Sequence, residues 1–236
     1  MKTFGKLVHT VLSMSGFVPE NMNPVRFTFM IGSFLLTTFV LPDYKRLDFA
    51  IIYFLCGTSA YIFFVFSVLR ENGLRLRLIE KFGEKKAYLH YEAILGFLFF
   101  HNSVALTFMS QTTSNDSFWN TVPQPLILAI AGILFIVGMV VKIWSAFVVG
   151  TPIYYWKDMF LGRKVCEFVE TGPYKYLTNP MYGIGQIQVY AVAIYYGSTH
   201  GMLFGIINQV LVFVFYFLVE KPFIYRTYLQ SKEVKV

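Results

Sequence analysis

The chain has 236 residues, of which 56% are hydrophobic, 19% aromatic and only 14% charged, and its formal net charge is +7. A soluble domain carries about 25% charged residues, so this composition excludes an ordinary soluble protein and indicates an integral membrane protein. Membrane topology explains the basic excess, and we expect no nucleic-acid partner. The two cysteines, Cys56 and Cys166, show no metal-ligand spacing and are predicted to be free thiols.

Residues 1–24 are predicted to form an amphipathic N-terminal segment. Apolar side chains recur there at helical spacing and polar ones lie opposite: Phe4, Leu7, Val8, Val11 and Leu12 against Lys2, Lys6, His9 and Thr10. Such a helix either lies in the membrane surface or packs against a helical bundle. Because the segment lacks a continuous apolar core and a cleavage site, we expect no secretory signal.

Six apolar runs follow, and each approaches the roughly 20 residues that cross a bilayer. They cover residues 26–41, 49–69, 93–111, 126–149, 181–198 and 202–219. Residues 74–88 are predicted to extend as a further amphipathic surface helix. We therefore predict an all-α integral membrane protein with about six transmembrane helices and short amphipathic surface helices. Residues 25–149 form a four-span region, and residues 150–236 carry a C-terminal helical hairpin.

Lysine and arginine residues orient these spans. Seventeen of the 20 lie in the two termini and in the loops 70–92 and 150–180. Lys45 and Arg46 lie on the opposite side, and Lys142 lies within a span. The positive-inside rule then places both termini in the cytoplasm. The membrane is expected to be the endoplasmic reticulum in a eukaryote or the cytoplasmic membrane in a bacterium.

Two polar motifs flank the C-terminal hairpin. The first is ETGPYKYLTNPMYGIGQ at residues 170–186, and the second is LVEKPFIYR, which contains Glu220. Two crossings return the chain to the side it left, so we expect both motifs at one membrane face. Asn179 and Pro180 predict a capped helix start, which can also bind an anion. Pro222 predicts a break that brings Arg226 back toward Glu220.

Several polar groups allow two interpretations each. Glu220 is a solvated boundary residue or a functional acid. Gly183 and Gly185 admit either a ligand or a neighbouring helix. Tyr174, Tyr176 and Tyr182 are interfacial aromatics or a cluster that holds a cation over its rings. Glu220, the capped helix start and these tyrosines together match the charged groups of S-adenosylmethionine.

Polar groups outside the two motifs also allow two interpretations each. His101 and Asn102 lie inside the third span, where they serve function or bond to a neighbouring helix. Lys142 snorkels to the interface or meets a lipid phosphate. Three residues that precede the first motif line a lipid access path or anchor the chain at the membrane interface: Trp156, Lys157 and Asp158.

The motif GPYKYLTNPMYGIG followed by LVEKPFIYRTY resembles the signature of integral-membrane methyltransferases. That group includes the phospholipid N-methyltransferases and the isoprenylcysteine carboxyl methyltransferases. The resemblance covers about residues 150–230, and Asn-Pro-Met-Tyr together with Glu-x-Pro-Phe resembles the phosphatidylethanolamine branch. It implies binding of S-adenosylmethionine by Gly172, Tyr174, Asn179, Pro180, Tyr182, Gly183, Gly185 and Glu220. It also implies catalytic roles for Glu220 and Arg226, the latter near the methyl acceptor.

Two positions depart from the family pattern: Lys221 replaces a second acid, and Asn179 stands where the carboxyl methyltransferases have a histidine. The resemblance implies S-adenosylmethionine-dependent N-methylation of phospholipid ethanolamine headgroups, with the bilayer and its phospholipids as partners. The alternatives are an isoprenylcysteine carboxyl methyltransferase, a sterol-reductase-like enzyme that uses NADPH, and a non-enzymatic multi-span protein. Nothing in the sequence indicates an oligomeric state.

Overall fold

The structure, a computed structural model, describes residues 2–115, 119–163 and 169–226. Every regular element in these ranges is helical, which confirms the predicted all-α class. The α-helices are α1 Lys2–Met14, α2 Pro24–Leu35, α3 Leu47–Leu69, α4 Arg75–Thr112, α5 Gln124–Val149, α6 Thr151–Tyr154, α7 Lys157–Leu161, α8 Gln188–Tyr195, α9 Thr199–Phe215 and α10 Lys221–Ile224. Cys56 is a free, exposed thiol as predicted, and Cys166 lies outside the described residues.

Five helical segments of the described chain are long and apolar enough to cross a membrane. They are Pro24–Tyr44, Leu47–Leu69, Arg75–Thr112, Gln124–Val149 and Thr199–Ile224. The chain is therefore a multi-pass membrane protein. Helix α1 forms as predicted and packs against α5, with Lys6 Nζ 4.4 Å from the centre of the Phe147 ring.

The predicted fifth span, residues 181–198, is wrong as a continuous helix. Residues 180–187 form turns and a single 3-10 turn, and α8 has only eight residues. Gly183 breaks the helix because its ψ of −106° is not helical. The segment nevertheless runs antiparallel to α5, since Gly185 lies against Lys142 and Gln188 against Gly138. Irregular backbone at membrane depth is tolerated where it is enclosed by protein or lines a cavity.

The surface helix predicted for residues 74–88 corresponds to the first part of α4, but it is shorter than predicted. Gly83, with φ 74° and ψ 156°, is not helical and separates this first part from the third span, so α4 consists of two helices joined at a kink. Glycine adopts positive φ at no steric cost, which permits the kink at this position.

The break expected at Pro222 does not occur. Residues Tyr216–Glu220 form a π-helical turn in which the Lys221 N–H bonds to the Tyr216 carbonyl, and α10 follows directly. The same arrangement recurs at Leu36–Val40, ahead of Pro42. Proline lacks an N–H and its ring clashes with the carbonyl four residues earlier. The wider turn moves that carbonyl aside, so the helix passes through the proline.

Candidate functional site

The two polar motifs meet, as the hairpin geometry predicts. Tyr182 Oη donates a hydrogen bond of 2.7 Å to Glu220 Oε2 across 38 residues of sequence. The indole of Trp156 lies near Glu220 as a second, weaker neutral donor. The carboxylate is half-buried and has neutral donors from two different segments beside it.

Trp156 owes its position to an unusual backbone conformation. It has φ 51° and ψ 38° at the junction of α6 and α7, in the left-handed region. Such a conformation costs about 1–3 kcal/mol in a residue other than glycine and persists only where its surroundings fix it. The side chain is buried, with its ring centre 5.2 Å from that of Phe215. The sequence allowed an anchoring role for Trp156 but did not indicate a bond to Glu220.

Further tyrosines surround the Glu220 carboxylate. Tyr61, Tyr174 and Tyr216 all lie close enough to interact with it electrostatically. Burial raises the pKa of the Tyr174 phenol, and the nearby carboxylate adds to that effect, so Tyr174 stays a neutral donor at physiological pH. Tyr176, grouped with Tyr174 by the sequence, is 76% exposed and lies apart.

Asn179 and Pro180 begin a tight turn, and the helix start predicted there is wrong. Asn179 Oδ1 accepts a 3.2 Å hydrogen bond from the Tyr182 N–H, which matches the predicted cap. The Gly183 N–H then bonds to the Asn179 carbonyl at 3.1 Å, and the Gly185 N–H to the Pro180 carbonyl at 2.7 Å. Because these N–H groups are satisfied within the turn, the anion site expected at a helix N-terminus does not form.

The three glycines assigned to the cofactor differ in their surroundings. A Cβ on Gly172, which has φ +60°, would lie 2.9 Å from Val148 Cγ2 on α5. A Cβ on Gly185 would lie 2.8 Å from the Pro180 carbonyl oxygen and 3.2 Å from Lys142 Cβ. These two positions therefore let the segment pack on α5. The Cβ position of Gly183 approaches only its own turn, at Asn179 O, 3.1 Å away.

Arg226 is not brought to Glu220. Its Nη1 pairs with Glu71 Oε2 at 2.7 Å, and both side chains are largely exposed. Since the helix continues past Pro222, Arg226 lies about 9 Å further along the helix than Glu220. Its assignment as a catalytic residue stays a prediction that this geometry does not support.

Polar residues within the spans form interhelical bonds. Tyr53 Oη lies 2.7 Å from His101 Nδ1. Asn102 accepts from Thr58 Oγ1 at 2.8 Å and donates to Asn208 Oδ1 at 3.0 Å, so it joins α3, α4 and α9. The interpretation of His101 and Asn102 as helix-packing residues is thus the one observed.

A cavity of about 660 Å³ adjoins the site, and Tyr182 and Trp156 form part of its wall. Most of its remaining wall comes from α1, α4, α5, α9 and residues 181–192, and α2, α3 and α6 each add one aromatic side chain. Gln209, which sequence reasoning passed over, fixes this wall by donating a 3.0 Å hydrogen bond to the Tyr182 carbonyl. A glutamine in the middle of an apolar span was the available signal.

These features define a multi-pass helical membrane protein with a carboxylate site where its last span meets a preceding irregular segment. Residues 126–231 match the family model described as phospholipid methyltransferase. This part of the chain is therefore related to the phospholipid methyltransferases, and the resemblance drawn from its motifs is confirmed.

Two similar proteins carry the name phosphatidylethanolamine N-methyltransferase. The protein from Kluyveromyces lactis is 30% identical over 115 residues, which cover 49% of this chain and 13% of that protein. The protein from Eremothecium gossypii is 30% identical over 96 residues, which cover 41% of this chain and 11% of that protein. The chain thus spans only a small part of the relatives it matches. No solved structure matches this chain.

Proposed function

We propose that this protein transfers a methyl group from S-adenosylmethionine to the amine of a phosphatidylethanolamine headgroup. The observation that carries the proposal is the 2.7 Å contact between Tyr182 and Glu220, which unites the two methyltransferase-like motifs beside an apolar cavity. The family match over residues 126–231 and the names of both relatives support the same reaction.

The residues around Glu220 fit the positively charged parts of S-adenosylmethionine. A half-buried carboxylate can pair with an ammonium or accept from ribose hydroxyls, and the rings of Tyr182 and Tyr216 have centres 6.0 Å apart. Aromatic faces attract cations, a sulfonium included. When bound, the cofactor supplies an electrophilic methyl group. In our proposal Tyr174, Asn179 and Gly183 complete its surroundings, while Gly172, Pro180 and Gly185 hold the turn in place.

In our proposal Glu220 also accepts a proton. A headgroup ammonium must lose a proton before its nitrogen becomes a nucleophile, and a nearby carboxylate can take that proton. Tyr182 and Trp156 fix the orientation of this carboxylate. The apolar cavity holds the lipid and keeps water from the reacting groups. We further propose that the site faces the cytoplasm, because the basic residues favour that orientation.

The test uses the purified full chain with methyl-labelled S-adenosylmethionine. Vesicles of phosphatidylethanolamine are compared with a farnesyl-cysteine analogue, and we expect label on the lipid. Glu220→Gln should abolish most of this transfer, whereas Glu80→Gln, an exposed acid on α4, serves as the matched control. Label on the farnesyl-cysteine analogue alone would overturn the proposal. Calorimetric binding of NADPH in place of S-adenosylmethionine would also overturn it.

A further inference from the structure

The cavity beside Tyr182 and Glu220 is apolar over most of its wall but contains one cation. Lys142, on α5, is the one charged side chain among the described residues that line it. It lies seven residues before the end of α5, about 10 Å along the helix, so its ammonium sits below the interface. A charge at that depth is costly and normally has a partner.

Lys142 has only neutral partners in the described chain. Its Nζ donates to Gln186 Oε1 at 3.3 Å. The Gln188 amide also approaches it, at 3.2 Å in the amide orientation that satisfies both atoms. A Cβ on Gly185 would lie 3.2 Å from Lys142 Cβ, so the missing side chain lets this segment approach Lys142 and brings the two glutamines to the ammonium. Two amides orient a positive charge without neutralising it, so the ammonium keeps its capacity to pair with an anion.

A second unsatisfied group lies on the wall of the same cavity. Asn208 is fully buried, and its Nδ2 has no partner among the described residues. The chain of hydrogen bonds from Thr58 through Asn102 ends at Asn208 Oδ1, so the free amide hydrogens cannot turn away. A buried donor left without an acceptor costs free energy that a ligand acceptor can recover.

We propose that Lys142, held by Gln186 and Gln188, binds the phosphodiester of the acceptor phospholipid inside this cavity. This inference rests on the proposed function and names the feature of the lipid that is recognised. Asn208 Nδ2 then donates to an ester carbonyl of the same lipid. The acyl chains follow the apolar wall formed by Leu106, Phe135 and Val192. This orientation directs the headgroup amine toward Tyr182 and Glu220.

The carboxylate of S-adenosylmethionine is the other anion of this reaction. The cavity favours the lipid, because its wall is mostly apolar and reaches Phe34 on α2 and Val11 on α1, two side chains that are exposed on the surface of the helical bundle. A cofactor that is charged and soluble in water gains little from such a wall. A diacyl lipid fills it.

The experiment compares two acceptors with identical acyl chains. One is phosphatidylethanolamine, and the other is an aminoethyl ether of diacylglycerol, which keeps the amine and lacks the phosphate. Lys142→Met removes the charge at similar length, Lys142→Arg keeps it, and Lys175→Met, in an exposed loop, is the matched control. Loss of a charge-assisted hydrogen bond should raise the KM for phosphatidylethanolamine about tenfold or more in Lys142→Met. The KM for the phosphate-free lipid and for S-adenosylmethionine should not change.

A binding measurement separates this inference from the proposed function. Wild-type protein is loaded with a phospholipid that carries a fluorescent acyl chain, in micelles of constant surface charge. Phosphatidylglycerol should compete with the probe, and diacylglycerol should not, even if the protein methylates neither acceptor. Equal competition by both lipids would overturn the inference. This measurement uses the wild-type protein, so it decides the question even when Lys142→Met does not fold. A raised KM for S-adenosylmethionine alone, or equal losses on both acceptors, would overturn it as well.

Discussion

Tyr182→Phe removes one hydroxyl from the centre of the site and keeps the ring. The lost bond is the 2.7 Å donation to Glu220 Oε2. The ring contacts with Tyr216 and Phe213, whose centres lie 6.0 and 6.4 Å away, remain possible. The backbone bonds of Tyr182 to Asn179 and Gln209 do not involve the side chain. The substitution therefore tests the link between the two motifs and leaves the surrounding packing in place.

The expected loss of activity in Tyr182→Phe follows from the negative charge on the hydrogen-bond acceptor, the Glu220 carboxylate. A hydrogen bond to a charged group contributes about 1.5–3 kcal/mol, and each 1.4 kcal/mol changes an equilibrium or rate about tenfold. Trp156 remains as one donor to Glu220, which limits the disorder of the carboxylate. We therefore expect Tyr182→Phe to lower kcat/KM for methyl transfer about 10- to 100-fold.

The assay is transfer of labelled methyl from S-adenosylmethionine to phosphatidylethanolamine, with thermal unfolding measured on the same preparations. Tyr176→Phe is the matched control, because Tyr176 lies in the same segment but is 76% exposed. It should behave like the wild type. Equal activity of the two variants would refute the reasoning, as would a loss of activity fully explained by a lower Tm of Tyr182→Phe.

Four further substitutions test the contacts around the site. Gly185→Ala should destabilise by about 1–3 kcal/mol, because its Cβ meets Pro180 O at 2.8 Å, and thermal unfolding should show no such loss for Gly132→Ala, which has open space. Asn102→Ala removes two interhelical bonds and should lower stability by about 1–2 kcal/mol in the same assay. Arg226→Ala and Glu71→Ala should each alter stability by less than about 1 kcal/mol, as for exposed pairs. A large loss of methyl transfer in Arg226→Ala alone would instead assign Arg226 a catalytic role.

The contact between Tyr182 and Glu220 could be predicted because it depends only on the number of apolar segments between the two motifs. Two apolar segments between the motifs return the chain to its starting side, and this holds whatever the internal structure of either segment. Five of the six predicted spans were likewise identified correctly from length and hydropathy. Such inferences need only the coarse pattern of apolar and basic residues.

The form of residues 180–187 could not be predicted, because tertiary contacts decide it. The Asn-Pro pair at 179–180 is compatible with both a helix start and a capped turn, and both use Asn179 Oδ1 as the acceptor. In the turn, a Cβ at position 185 would lie 2.8 Å from the Pro180 carbonyl oxygen and 3.2 Å from Lys142 Cβ on α5, and neither contact can be read from the sequence. Sequence reasoning also missed Trp156 as a partner of Glu220, since its left-handed backbone is set by the packing around α6 and α7.

The π-helical turn at Tyr216–Glu220 explains both why Pro222 does not break the helix and where the Glu220 carboxylate lies. One residue more per turn rotates everything beyond it by about 100° relative to a regular α-helix. A helical wheel drawn through Pro222 therefore points the end of this span in the wrong direction, whether the helix is assumed to break or to continue regularly. Because the turn ends at Glu220 itself, the same feature that accommodates Pro222 sets the direction in which the carboxylate faces Tyr182 and Trp156. Pro222→Ala should let the turn revert to a regular α-helix and move Glu220 away from Tyr182. It should therefore impair methyl transfer while raising or preserving Tm, and unchanged activity would show that the turn forms without the proline.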